Sequence, residues 1–197
     1  MYGFISKEMT TALEGLVKGK RVWNLGCGNG GAEPQLLKRL GATVIHAVDK
    51  ANRNHILTPT FGTSGVITWC DMYYTEFSAF IGPSSAADVA VIKWPDTGPL
   101  TGLVGLLDKC EVVVYIGTND GFTACGNPSL WRYLATREFI TAVENRHNDM
   151  IVYGKPVETA TAPRCREEEL AWMAHGMTWS SEPKFDLPFL PGRVLTP

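Results

Sequence analysis

The sequence predicts a single three-layer α/β sandwich, with a mostly parallel central sheet and helices on both faces. Three observations carry that expectation. Six short runs are apolar nearly throughout, the pattern of strands buried on both faces. They alternate with segments of helical period, which is the rhythm of a parallel sheet crossed over by helices. The first run then breaks into glycines, as VWNLGCGNGG from Val22 to Gly31.

The elements follow in order. Residues 6–18 form a helix opened by Ser6, with Met9, Leu13, Leu16 and Val17 on one side. A strand at 21–26 leads into a helix at 32–40, whose early Pro34 suits a first turn and which Gly41 ends. Further strands are expected at 43–49, 65–71, 87–94, 111–117 and 149–155. Helices are expected at 73–81, 100–109, 129–144 and 166–174. The last segment, SSEPKFDLPFLPGRVLTP, carries Pro183, Pro188, Pro191 and Pro197 and reads as irregular chain. The core therefore spans about residues 10–155 of one domain covering 1–197, with a C-terminal helix and proline-rich tail over 156–197.

Composition narrows the function classes. The chain has 197 residues, 45% hydrophobic and 19% charged, with a net charge of −2. That balance supports a sizeable core and argues against a strongly basic nucleic-acid clamp. Cys27, Cys70, Cys110, Cys125 and Cys165 are odd in number and form no CxxC pair. Structural zinc and a disulfide framework are not expected, and a reducing, cytoplasmic setting fits best. The longest apolar region is split by Asp108, Lys109 and Glu111, so no membrane span is expected. His46, His55, His147 and His175 show no paired metal spacing. His46 lies within a strand, as a packed side chain.

In an open parallel sheet, ligands bind beyond the carboxyl ends of the strands, which puts the glycine turn at the expected site. Gly26, Gly28 and Gly31 spell GxGxxG, while Gly26, Gly28 and Gly30 spell GxGxG. Asp49 ends the second strand, 18 residues past Gly31, where a carboxylate can accept ribose hydroxyls. NAD and an adenosine sulfonium both fit these features. Glu33 favours the second, because its charge in the first helical turn opposes a pyrophosphate dianion. Asp71, ending the third strand, offers a carboxylate to an adenine amine, and Met72 could pack on the ring.

With those residues in place, the chain resembles the class I S-adenosylmethionine-dependent methyltransferases. Their first motif runs roughly VLDxGCGxG, and this sequence has VWNLGCGNG. Their acidic residue at the end of the second strand is matched by Asp49 in HAVDK, and their third-strand acid by Asp71. Asn24 stands where the family usually has Asp or Glu. The resemblance implies a Rossmann-like fold, S-adenosyl-L-methionine as cofactor, and methyl transfer to an acceptor that is a small molecule or a nucleobase. It implies cofactor contacts from Asn24, Gly26, Cys27, Gly28, Gly30, Asp49, Lys50, Asp71, Met72, Lys93 and Trp94. The fourth strand leads into IKWPDTGP, which shares the ingredients of the Asp/Asn/Ser-Pro-Pro-aromatic motif of amino-methyltransferases in a different order. Asp96 is its candidate general base or amine acceptor. The loop after the fifth strand, with Thr118, Asn119 and Asp120, is a candidate wall of the acceptor pocket, to which Trp131 and Tyr133 could add. A partner subunit supplying substrate recognition is a further expectation of the methyltransferase reading, and two other classes compete: an NAD-dependent oxidoreductase, and a non-catalytic cofactor-binding or scaffold module.

Overall fold

The computed structural model describes residues 5–28, 31–49, 63–95, 100–117, 126–144 and 148–157. Gly30, Lys50, Asp96, the 118–125 loop and the expected helix at 166–174 lie outside the described residues, as do Cys125, Cys165, His55, His147 and His175.

Helix α1 (Lys7–Val17) begins where Ser6 accepts a hydrogen bond from the Met9 amide at 3.2 Å, an N-cap worth about 1 kcal/mol. It presents Met9, Leu13 and Val17 to the core. Strand β1 (Arg21–Leu25) follows, then α2 (Ala32–Arg39), β2 (Val44–Asp49), β3 (Thr63–Ser64), β4 (Ile67–Asp71) and α3 (Tyr74–Ile81). The chain continues through β5 (Ala87–Lys93), α4 (Leu103–Leu107), β6 (Cys110–Gly117), α5 (Pro128–Leu134), β7 (Arg137–Val143) and β8 (Asp149–Pro156).

The eight strands form one sheet in the order β3-β4-β2-β1-β5-β6-β8-β7. Strands β4, β2, β1, β5 and β6 are mutually parallel, and β8 runs antiparallel between β6 and β7. A dinucleotide-binding sheet has the order 3-2-1-4-5-6 with no such insertion. Side chains alternate across the pleat. Val22, Ile45, Val89, Val91 and Val114 pack with α1 and α2 on one face, and Trp23, Leu25, Ile92 and Tyr115 pack with α3, α4 and α5 on the other.

One expected element is corrected. The helix read over 129–144 stops at Leu134, and REFITAV becomes β7. Arg137 explains the break. It is only 4% exposed, and all five of its N–H groups have an acceptor. Nε donates to the Gly154 carbonyl at 2.6 Å, Nη1 to the Leu107 carbonyl and the Tyr133 hydroxyl, and Nη2 to the Cys110 and Glu111 carbonyls. The Tyr133 hydroxyl in turn donates to Asp108 at 2.8 Å. Four elements, α4, β6, α5 and β8, thereby hold the residue that starts β7, and this outweighs helix propensity. The segment's own content of Phe139, Ile140, Thr141 and Val143 suits a strand as well. Trp131 and Tyr133 are both buried in this core, so they build it and do not line a pocket wall.

Candidate functional site

The strand order reverses between β1 and β5, the topological switch point where such sheets bind ligands. The glycine turn leaves β1 there. Gly26 and Gly28 have φ of 80° and 67°, a region that L side chains rarely adopt. The Gly26 and Cys27 amides donate to the Val48 carbonyl at 2.7 and 3.0 Å, and the Gly28 amide donates to the Asp49 carboxylate. The turn is thus tied to the tip of β2, and the candidate ribose-binding acid also shapes the loop.

Asp49 and Asp71 are register partners at the ends of the adjacent strands β2 and β4. The Met72 amide closes the pair by donating to the Asp49 carbonyl at 2.9 Å. Asp71 Oδ1 is buried with no hydrogen-bond partner among the described residues, as is Asn24 Oδ1. Buried acceptors are normally satisfied, so two open ones at one sheet edge mark a place for donors. Met72 is half-buried against the core beside them.

Beneath the turn lies a polar cluster that joins β1, α2 and β5. Asn24 is fully buried, and its Nδ2 donates to Glu33 Oε1 at 2.6 Å. Glu33 is 4% exposed, and its Oε2 accepts from Lys93 Nζ at 2.6 Å. Burial pushes the Glu33 carboxyl above the ordinary range, while the Lys93 charge and the hydrogen bonds from Lys93 and Asn24 oppose that rise. Two expectations change here. Glu33 does not turn its charge toward a ligand at the helix start; it turns inward to Lys93. The Lys93 ammonium is held by Glu33, and it is the Lys93 carbonyl that borders Gly26.

Cys27 is buried, and its thiol is pushed up by burial first and then by the charges of Asp49 and Glu33. A thiol so placed is a packed side chain and not a nucleophile. Its shift also reports an anionic neighbourhood, the right sign for a cationic ligand.

Two features were not legible beforehand. The Tyr74 hydroxyl sits over the turn, 3.5 Å from where a Gly26 Cβ would stand. The only hint in sequence was its position three residues past Asp71, at a helix start. Trp94 has φ of 48°, the one non-glycine residue with positive φ among those described. Such a backbone costs on the order of 1–3 kcal/mol and concentrates at functional sites. The Trp94 amide donates to the Ile116 carbonyl at 2.8 Å, and its side chain packs against the core. Next to it, the Pro95 carbonyl accepts from the Gly126 amide at 2.8 Å, which ties this turn to the start of α5. Among the described residues no cluster of His, Cys, Asp and Glu could hold a metal ion. No described helix is long and apolar enough to cross a membrane.

No protein-family model matches the sequence, and no curated protein matches it. Solved structures do share the fold. A candidate tRNA (m1A22) methyltransferase from Streptococcus pneumoniae, solved with S-adenosyl-L-methionine, superimposes with a TM-score of 0.52 at 14% identity, over 81% of this chain and 77% of its own. A candidate S-adenosylmethionine-dependent methyltransferase from Listeria monocytogenes gives 0.51 at 13% identity, over 75% and 97%. A protein of the NADB-Rossmann superfamily from Streptococcus agalactiae gives 0.50 at 15%, over 90% and 80%. The chain has the Rossmann-like α/β fold that these proteins share.

Proposed function

We propose that the chain is an S-adenosylmethionine-dependent methyltransferase. The observation that carries this reading is the pair Asp49 and Asp71, in register at the glycine turn, with a buried Asp71 oxygen lacking a donor among the described residues. The residues present fit the cofactor. Asp49, already fixed by the Gly28 amide, would accept the ribose hydroxyls. Asp71 would accept the adenine amine, with Met72 beside the ring. Gly26 and Gly28 leave the methionine end room to approach the backbone, above the open Asn24 oxygen.

The cofactor supplies an electrophilic methyl on a sulfonium whose leaving group is already good. The protein's share is alignment of the acceptor and, where the acceptor carries a proton, its removal. The strained Trp94–Pro95 turn at the tip of β5, on the far side of the switch point from Asp49, would position the acceptor. Asp96, which follows it, is the proposed base. The acceptor is a small molecule or a nucleobase; the likeness in fold to the S. pneumoniae tRNA methyltransferase supports trying RNA first. Cys27, Cys70 and Cys110 are free thiols, which suits a reducing compartment such as the cytoplasm.

One feature weighs against NAD: the antiparallel β8 within the sheet. Thermal melts with S-adenosylmethionine, S-adenosylhomocysteine and NAD separate the readings. Each sulfur compound at about 100 times its dissociation constant should add about 2.7 kcal/mol. Stabilisation by NAD alone would overturn the proposal, and binding without transfer to any acceptor would favour the scaffold class.

A further inference from the structure

Asn24 leaves the first motif one negative charge short, yet a carboxylate stands within hydrogen-bond distance of it. Glu33, nine residues on, receives the Asn24 amide at 2.6 Å and the Lys93 ammonium at 2.6 Å. Glu33 is almost wholly buried, and the Lys93 side chain is 18% exposed. The pair bridges α2 and β5 at the switch point, beneath the turn where the sulfur of the cofactor would lie. Without Glu33, a lysine charge would stand uncancelled at the place where a sulfonium must be accepted.

We infer that Glu33 is a specificity-determining positioning residue, which cancels the Lys93 charge so that the site presents the anionic Asp49 and Asp71 to a sulfonium. This rests on the cofactor reading above and adds to it which charge the site selects for. Glu33 touches no reacting atom; it acts through Lys93. The consequence is specific to charge. S-adenosylmethionine carries a positive sulfur and S-adenosylhomocysteine a neutral one, while the two share adenine, ribose and amino-acid groups. A structural prop would support both equally. A charge canceller supports the sulfonium more.

The test is calorimetric titration of both compounds into the full chain and its variants. Glu33→Gln keeps the shape and exposes the lysine charge. It should weaken S-adenosylmethionine about tenfold more than S-adenosylhomocysteine, the scale of a unit charge several ångströms away at an intermediate dielectric. The double variant Glu33→Gln with Lys93→Met should return the ratio of affinities to that of the unaltered chain. Glu33→Ala gives a second reading if Glu33→Gln is too unstable. Added acetate, which can pair with Lys93 in the vacated space, should restore the ratio, and isosteric neutral acetamide should not. Equal loss of both compounds, or rescue by acetate and acetamide alike, would overturn the inference while leaving the methyltransferase reading intact. Failure of the unaltered chain to bind either compound would instead remove the reading itself.

Discussion

Two buried charges in this molecule are built to opposite rules. Arg137, at the sheet edge, gives each of its five N–H groups to an oxygen. In the Asn24–Glu33–Lys93 cluster at the switch point, Asn24 and Glu33 are as deeply buried and Lys93 partly so, but the acceptors Asn24 Oδ1 and Asp71 Oδ1 have no described donor. A fully satisfied charge fixes architecture. An incompletely satisfied one leaves an acceptor open to a donor that the described residues do not supply. The same contrast separates the backbones: β7 and β8 pair with register shifts around Phe139 yet hold no positive φ, while the switch point gathers Gly26, Gly28 and the strained Trp94.

The contrast can be broken most severely at Arg137. Arg137→Met should cost about 3–5 kcal/mol in urea denaturation, because it strands several buried carbonyls at once. Cofactor affinity of the folded fraction should stay unchanged. Asp71→Ala should do the reverse. It removes an acceptor that has no partner among the described residues, so stability should hold or rise slightly, while S-adenosylhomocysteine binding weakens about tenfold by calorimetry. If Asp71→Ala unfolded the chain and Arg137→Met did not, the two regions would have exchanged roles.

The smallest effect is expected on the face away from the site. His46 is half-buried beside Phe77 on β2, and burial lowers its affinity for a proton below the ordinary value of 6.5. The unfolded chain then binds the proton more readily, so stability rises with pH through this window and is lost as pH falls below the unfolded value. The melting temperature should drop between about pH 7 and pH 5, and His46→Phe should shrink that drop. A pH dependence identical in the variant would show that His46 does not contribute.

What the sequence made legible follows the same division. Strands β1, β2, β4, β5, β6 and β8 were readable because each is a nearly continuous apolar run, whereas the two-residue β3 was not expected, and the glycine turn was readable because φ above zero demands glycine. Asp49 and Asp71 were readable from their place at strand ends. What escaped were contacts between distant positions. Lys93 lies 60 residues from Glu33, and no local pattern pairs them. Arg137 meets Leu107, Cys110 and Gly154 only after the sheet has formed, so 129–144 reads locally as one helix. Tyr74, which follows β4, meets Gly26, which follows β1, for the same reason.

The central claim is that the two strand-tip carboxylates and the glycine turn hold an adenosyl sulfur compound. A crystal structure of the chain with S-adenosylhomocysteine tests it most directly. The account predicts the ribose on Asp49, the adenine amine on Asp71 and the methionine end against Gly26 and Gly28. An adenosyl group bound elsewhere, or a turn that closes on its own atoms and leaves Asp71 without a donor, would contradict it.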